Sequence, residues 1–397
     1  MKAKLTAVIA LTSIFHALPG FPVLKKQYGG NIKVTEEVLE GIRSQGLFGS
    51  DKDGIHPVVP FPLMRSQESL QLNLSLLNPD YITELEVHLQ AIQDVSHPCH
   101  WILDYPFLTH EHATFLYLEG DRMILKNADL ESIEPLLTTY CLTPQEWNPI
   151  QPFRKTQFGY EANPSCLGGR PFLDSITPVP VDPVNPYLSF KLKDVDVIQV
   201  PEDRFHQVSN DPDITVLPGP RYFLYLKSSG LTEEQMAQIA ASIDVKELSR
   251  TVLNDHVEIL FSSSVLVASA TRPAILFSYP SEDPYRLLGE RIAIQLKGSG
   301  FPVSQTGAPN MPELRLFASP IVESDLDLFR YHLLKARPGS DDPRPWYEQW
   351  DDLEGSGKLV PLLIHITRIA ARKSLLDLQI RSNGMPDFAN WWLLQTP

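Results

Sequence analysis

The chain has 397 residues, enough for two or three domains, because a single core seldom grows beyond about 250–300 residues. Hydrophobic residues make up 43% and charged residues 21%, ordinary globular chemistry that excludes a disordered chain. A net charge of −14 argues against a nucleic-acid partner, since phosphate binding needs a basic surface, and 35 prolines favour loops and edge strands over long helices.

In chain order, Met1-Lys2-Ala3-Lys4 is a short basic start, followed by an apolar run from Leu5 to Phe15 and then His16-Ala17-Leu18-Pro19-Gly20. This is the layout of a secretory signal peptide, with Ala17 and Gly20 as small residues near a cut. Residues 1–20 are therefore expected to direct export to a periplasmic or extracytoplasmic location. A mature N-terminal helix is the competing reading, given the interruptions at Ser13 and His16. The apolar run falls short of the roughly 20 residues of a spanning helix, and no cysteine follows it to carry a lipid. Cys99, Cys141 and Cys166 fit an exported protein with at most one disulfide. A Cys99–Cys141 pair and three unpaired cysteines both remain open.

Beyond this segment, Tyr28-Gly29-Gly30 reads as a turn feeding a strand over Asn31–Val34. Lys52 to Pro62 is rich in Pro and Asp and is expected to be a loop. Asn78-Pro79 opens a helix with Asn as N-cap, and Ile82, Leu85, Leu89 and Ile92 share one face. Two strand-like runs flank Glu119-Gly120-Asp121 as a hairpin, followed by a helical stretch from Leu130 to Tyr140 and a Pro-rich join from Gln145 to Pro152. Phe172–Val181 and Asp194–Pro201 are strand-like. Thr232 and Gln235 form a capping box, after which Met236, Ile239, Ile243, Leu248 and Val252 continue as an apolar stripe.

Ala274–Pro280 is a strand, and Asp283-Pro284 is expected to cap a helix that turns Leu287, Leu288, Ile292 and Leu296 inward and ends at Gly298. Gly300–Gly307 holds another strand, and Asp341–Lys358 reads as loop plus a short helix. A buried strand runs through Leu359–Leu375 before a last turn at Gly384–Leu394. Strands alternating with helices point to an α/β architecture.

Few motifs carry chemistry. His110-Glu111-His112 lacks the spacing of a metalloprotease helix, where the second histidine stands four residues after the first; here that place holds Thr114. His97, Cys99 and His100 match no zinc pattern and are split by Pro98. Asp51-Lys52-Asp53-Gly54 resembles half a calcium loop, but the glutamate at the twelfth position is absent, so a turn is expected. No nucleophile elbow, dinucleotide fingerprint, P-loop or C-x-x-C is present. The sequence thus assigns no catalytic residue, no metal ligand and no cofactor, and the chain is read as not an enzyme. Among the tryptophans Trp346 is the best ligand candidate, because Arg344 and Asp342 set charge of both signs beside an apolar face.

The segment from Pro152 to Ile176, "PFRKTQFGYEANPSCLGGRPFLDSI", followed by Val195-Asp196-Val197-Ile198-Gln199, resembles the extracellular solute-binding proteins of the peptide and nickel type, family five. Pro152-Phe153 stand where the family has its G-P-(F/Y). Asn163, Gly168, Gly169, Pro171, Leu173, Asp174 and Ile176 fit the central motif, and Asp194-Val195-Asp196 the third piece. The first strand, the helix and strand over Pro284–Val303 and the C-terminal strand agree in order. Three departures stand out. Asn148-Pro149-Ile150-Gln151 replaces a Gly-Thr-Gly lead-in, Cys166 lies near an aromatic position, and Ser319-Pro320 occupies the place of the acidic motif that holds a peptide amine.

The resemblance implies an α/β fold of the two-lobed periplasmic-binding-protein type II kind, with mixed sheets. Residues 28–50, 150–222 and 360–397 would form a discontinuous first lobe, 51–149 a subdomain attached to it, and 223–359 the second lobe. It further implies a monomeric solute-binding component of an ABC-type importer. Such a protein captures a small-molecule or peptide ligand between its lobes and delivers it to a permease in the cytoplasmic membrane. Alignment to lobe-facing segments gives Phe317, Ser319, Trp346 and His365 as ligand-binding candidates. A sensor or interaction module without transport is the alternative, and an exported metal-dependent hydrolase using His110 and His112 is the remaining one.

Overall fold

The computed structural model describes residues 29–39, 48–51, 54–57, 62–65, 69–94, 97, 99, 116–126, 140–144, 149–180, 186–260, 272–304, 313–321, 329–330, 349–350, 352–353, 359–381 and 384–394. The expected signal segment, the His110/His112 pair, Trp346 and all of the Leu130–Tyr140 stretch but its last residue lie outside these residues.

β1 (Asn31–Val34) alternates exposed and buried positions and buries Ile32 and Val34 completely. Part of the expected Lys52–Pro62 loop is instead a strand. β2 (Phe48–Asp51) and β3 (Gly54–Pro57) form a hairpin with Asp51 opposite Gly54. Pro57 is tolerated because it ends the strand. β4 (Leu63–Arg65), β5 (Ser69–Asn73), β6 (Leu116–Glu119) and β7 (Arg122–Lys126) make an antiparallel sheet in the order β4-β5-β7-β6. Between β5 and β6 runs α1 (Pro79–Ala91), where the Asn78 side chain accepts the Asp80 N–H at 3.1 Å and Leu85, Leu89 and Ile92 are buried. A disulfide joins Cys99 to Cys141, while Cys166 is free and buried.

β8 (Phe153–Thr156), β9 (Gly159–Ala162) and β10 (Ser175–Pro178) lead to α2 (Pro186–Lys191), β11 (Val197–Gln199), α3 (Phe205–Ser209) and the sixteen-residue β12 (Ile214–Ser229). The expected single stripe over Met236–Val252 is two helices, α4 (Glu233–Ala241) and α5 (Val245–Val252). The Asp244 side chain accepts the Glu247 N–H at 3.0 Å and starts the second. The Thr232 capping box closes in both directions.

β13 (Val257–Ile259) and β14 (Ile275–Ser278) precede α6 (Tyr285–Gly298). Asp283 does not cap α6: Pro284 holds the cap position, and the Asp283 carboxylate pairs with Arg286 at 3.0 Å. Leu288, Ile292 and Leu296 are fully buried, but Leu287 is 42% exposed, because it stands one residue off the buried stripe. β15 (Val303–Ser304), β16 (Glu313–Pro320), β17 (Leu359–Arg372), β18 (Leu375–Leu376) and β19 (Trp392–Leu393) complete the chain.

An eleven-stranded mixed sheet runs β15-β14-β16-β12-β17-β11-β1-β10-β9-β8, with β13 added on β17. β12 and β17 form its spine, pairing antiparallel from Ile214 opposite Arg372 to Lys227 opposite Leu359. At about 3.3 Å per residue β12 spans about 50 Å, long enough to serve two packed bodies. Four cores among the described residues bear this out. Beyond Arg221, the sheet packs Leu224, Leu226 and Leu363 against α4, α5 and α6 on one face. On the other face Phe223, Tyr225 and Ile364 pack against Phe329 and Trp350. Before Pro218, Ile369 and Ala371 join Ile32, Val34, Phe388 and Trp391, while Ala370 joins Phe190, Val200 and Val208 on the opposite face. Each fully buried Leu, Ile or Phe contributes roughly 1.5–3 kcal/mol.

The register shifts between Pro218 and Arg221, where Pro218-Gly219-Pro220 interrupts the ladder. Two prolines remove two main-chain donors, and the Pro220 carbonyl is instead satisfied by the Thr367 hydroxyl at 2.8 Å. A Cβ on Gly219 would stand 2.7 Å from the Thr367 oxygen, so glycine is what lets the strands close here. Gly384, at φ +85°, is folded against this spot, and a Cβ on it would run into the Gly219 carbonyl oxygen.

Candidate functional site

The stretch around Gly168-Gly169 sets the entry to β1. Gly169 adopts φ +98°, a turn open to glycine, and the chain returns as β10. Asn163 is fully buried, donating to the Gln151 carbonyl at 2.8 Å and accepting the Ser165 N–H at 3.0 Å. The Asp174 carboxylate accepts the Gly30 N–H at 3.0 Å and pairs with Arg170. β1 is thereby pinned parallel to both β10 and β11, with Thr35 just past its end. Thr35 is 1% exposed, and its hydroxyl has no hydrogen-bond partner among the described residues. The carboxyl ends of adjacent parallel strands are where open α/β sheets admit ligands.

The sequence candidates do not converge on one face. Phe317 and Ser319 alternate on β16 with Leu316 and Ala318 and lie opposite Tyr225 and Phe223. The Phe317 ring stacks on Tyr225 at 5.1 Å and 8°, with the Arg315 guanidinium 5.3 Å from it. His365 lies opposite Tyr222, on the other face of the sheet, and is fully buried.

His365 anchors a polar cluster at the point where the two halves of the sheet meet. Glu202 follows β11 in the first half and reaches across, its Oε1 3.0 Å from His365 Nε2. The Tyr285 hydroxyl, from α6, lies 3.2 Å from His365 Nδ1. A carboxylate only accepts, so a neutral ring satisfies both contacts when Nε2–H donates to Glu202 and Nδ1 accepts the tyrosine hydrogen. Burial pushes the Tyr285 hydroxyl well above its usual pKa, so it is a proton-holding donor here. Asn254 donates both to the Glu202 carbonyl at 2.9 Å and to its Oε2 at 3.0 Å. His256 Nδ1 stands 3.7 Å from that same oxygen, and the Phe205 ring packs edge-on to His256 at 4.2 Å. Sequence reasoning missed Glu202, Asn254, His256 and Tyr285, since they come from three separate segments with no motif linking them.

Among the described residues no group of three His, Cys, Asp or Glu side chains is placed to hold a metal ion.

The comparisons with solved structures bear directly on this arrangement. The chain aligns over 94% of its length with all of the peptide-bound OppA of Listeria monocytogenes, at a TM-score of 0.66 and 12% identity. It aligns over 93% with 99% of the binding protein AgaA of A. tumefaciens R10 in complex with agropinic acid, at 0.66 and 12%. The Staphylococcus aureus NikA in complex with Ni(L-His)2 gives 0.62 and 11% over 93% and 100% of the two chains.

The fold is that of the two-lobed solute-binding proteins.

These neighbours are of the peptide and nickel type that the central motif resembles. No family model and no curated protein matches the sequence. The part of the sheet carrying β1 and β8–β11 and the part carrying β13–β16 meet along the β12–β17 spine, beside the Glu202 cluster. Among the described residues no helix is long and apolar enough to cross a membrane.

Proposed function

We propose that the chain is the solute-binding component of an ABC-type importer, acting outside the cytoplasm. It captures a small solute between its lobes as a monomer and hands it to a membrane permease. The observation that carries this reading is the β12–β17 spine, which runs through both parts of the sheet and shifts register at Pro218-Gly219-Pro220 and again between Leu224 and Tyr225. A ligand that touches both lobes stabilises the arrangement in which they meet, and needs no covalent chemistry to do so. These neighbours were solved in complex with a peptide, agropinic acid and a nickel–histidine complex, which supports a solute as the cargo. The Cys99–Cys141 disulfide supports an exported location, because such bonds persist in oxidising compartments. In this reading Phe317, Ser319 and Trp346 face the ligand together with Thr35, whose unpaired hydroxyl offers a donor. His365 acts through the inter-lobe cluster.

The test is thermal unfolding of the purified protein against a panel of peptides, sugar acids, amines and nickel–histidine. A ligand present at about 100 times its Kd adds about 2.7 kcal/mol and raises the midpoint visibly. The reading is rejected if no solute class shifts the transition.

A further inference from the structure

A single charge separates the two apolar clusters on one face of β17. The even-numbered residues from Ile364 to Arg372 share that face, since alternate residues of a strand point the same way. Ile364 and Ile366 pack with the Phe223–Trp350 cluster and Ala370 with the Phe190–Val200 cluster, leaving half-buried Arg368 between them. Arg368 stands opposite Pro218, where the register shifts, and its carbonyl accepts the Val200 N–H at 2.8 Å just past the end of β11. β11 runs parallel to β1, so Arg368 adjoins the carboxyl ends of neighbouring parallel strands, where open α/β sheets admit ligands.

The other two arginines of the β12–β17 ribbon have acids of their own. Arg372 pairs with Asp196 at 3.5 Å and donates to the Val195 carbonyl at 3.2 Å. Arg221 lies opposite Ile366, hence on the same face as Arg368, and pairs with Glu258 at 2.7 Å. The Arg368 guanidinium makes no ion pair and no hydrogen bond among the described residues. Glu202 is the carboxylate whose field reaches it, but that carboxylate is committed to His365 and Asn254. Burial pulls the Arg368 pKa below its usual value and Glu202 pulls the other way, yet an arginine keeps its charge. Its five N–H donors form a planar fork that matches an oxyanion, and partial burial makes it costly to leave them unmet.

We infer that Arg368 holds the acidic group of the solute, a carboxylate or a phosphate, and that the cargo is an anion. The inference rests on the solute-binding reading above and adds a chemical class to it. A chain charge of −14 repels anions in general, so the attraction has to come from a local cation.

The test is thermal unfolding of the full chain without solute, near neutral pH, in sodium acetate or sodium phosphate against sodium chloride of equal ionic strength. The expected midpoint is about 1–2 °C higher in acetate or phosphate than in chloride. The larger of the two gains tells which group the solute carries. In Arg368→Met the gain is lost while the chloride midpoint is kept or raised, because the exchange removes a charge that folding strips of water without pairing. Arg368→Lys, a charge without the fork, retains part of the gain. Equal midpoints in all three salts overturn the inference, and so does an undiminished gain in Arg368→Met. A chloride midpoint in Arg368→Met several degrees below the parent's marks a structural arginine and overturns it too. A second arm sets each acid of the solute panel beside its neutral form, such as a peptide beside its C-terminal amide. If the neutral forms bind as tightly, solute capture stands and the anion assignment falls. If the salts respond through Arg368 while no solute shifts the transition, the anion site stands and the capture reading falls.

Discussion

Asp174 and Glu202 are both carboxylates that tie distant stretches of chain, and they do so in opposite surroundings. Asp174 is 46% exposed, accepts a main-chain N–H from Gly30, 144 positions away, and pairs with Arg170 four residues away. Glu202 is 9% exposed and meets side chains 52 to 163 positions distant. The first contact is wet, the second dry. A dry carboxylate is costly to leave unpaired, and so are its partners, whereas water can replace much of a wet one.

Substitutions at three positions break or sharpen that contrast. Glu202→Ala leaves His365 fully buried without its acceptor, and is expected to cost about 3 kcal/mol in urea unfolding. A loss below about 1 kcal/mol would mean that water reaches the cluster and that the two carboxylates are alike. Gly384→Ala tests the neighbouring main-chain contact, where the added Cβ has no room and the φ of +85° disfavours it; the expected loss is about 2 kcal/mol. Asp174→Ala is expected to cost about 1 kcal/mol, and Asp174→Asn less, because an amide oxygen can still accept the Gly30 N–H. If Asp174→Ala proved as damaging as Glu202→Ala, exposure would not be what separates them.

A second contrast, local against remote, explains what the sequence revealed. The turn at Gly169, the Asn78 and Thr232 caps, and strands β1, β14 and β17 are set by neighbours within a few residues, and their residue types announce them. The Asp244 cap that splits the expected stripe is also local, but an unbroken apolar period hid it. Asp283 looked like a cap because it precedes a proline, yet Arg286 claims its carboxylate. Of the candidate site, Phe317 and Ser319 share a face of β16, while His365 faces the other side of the sheet. Strand parity alone separates them, but no pattern within β17 signals that its histidine meets Glu202. That pairing exists only once β11 has been laid beside β17.

One contact described above limits how the spine can flex. Gly384 rests on Gly219 as main chain against main chain, with no side chain between them. Rotamers give way under load, but a peptide unit does not. Bending of the β12–β17 ribbon that presses Gly219 toward Gly384 therefore meets a rigid backstop, and bending away from it does not. The C-terminal segment thus backs the β12–β17 ribbon at Gly219 as a doorstop backs a door.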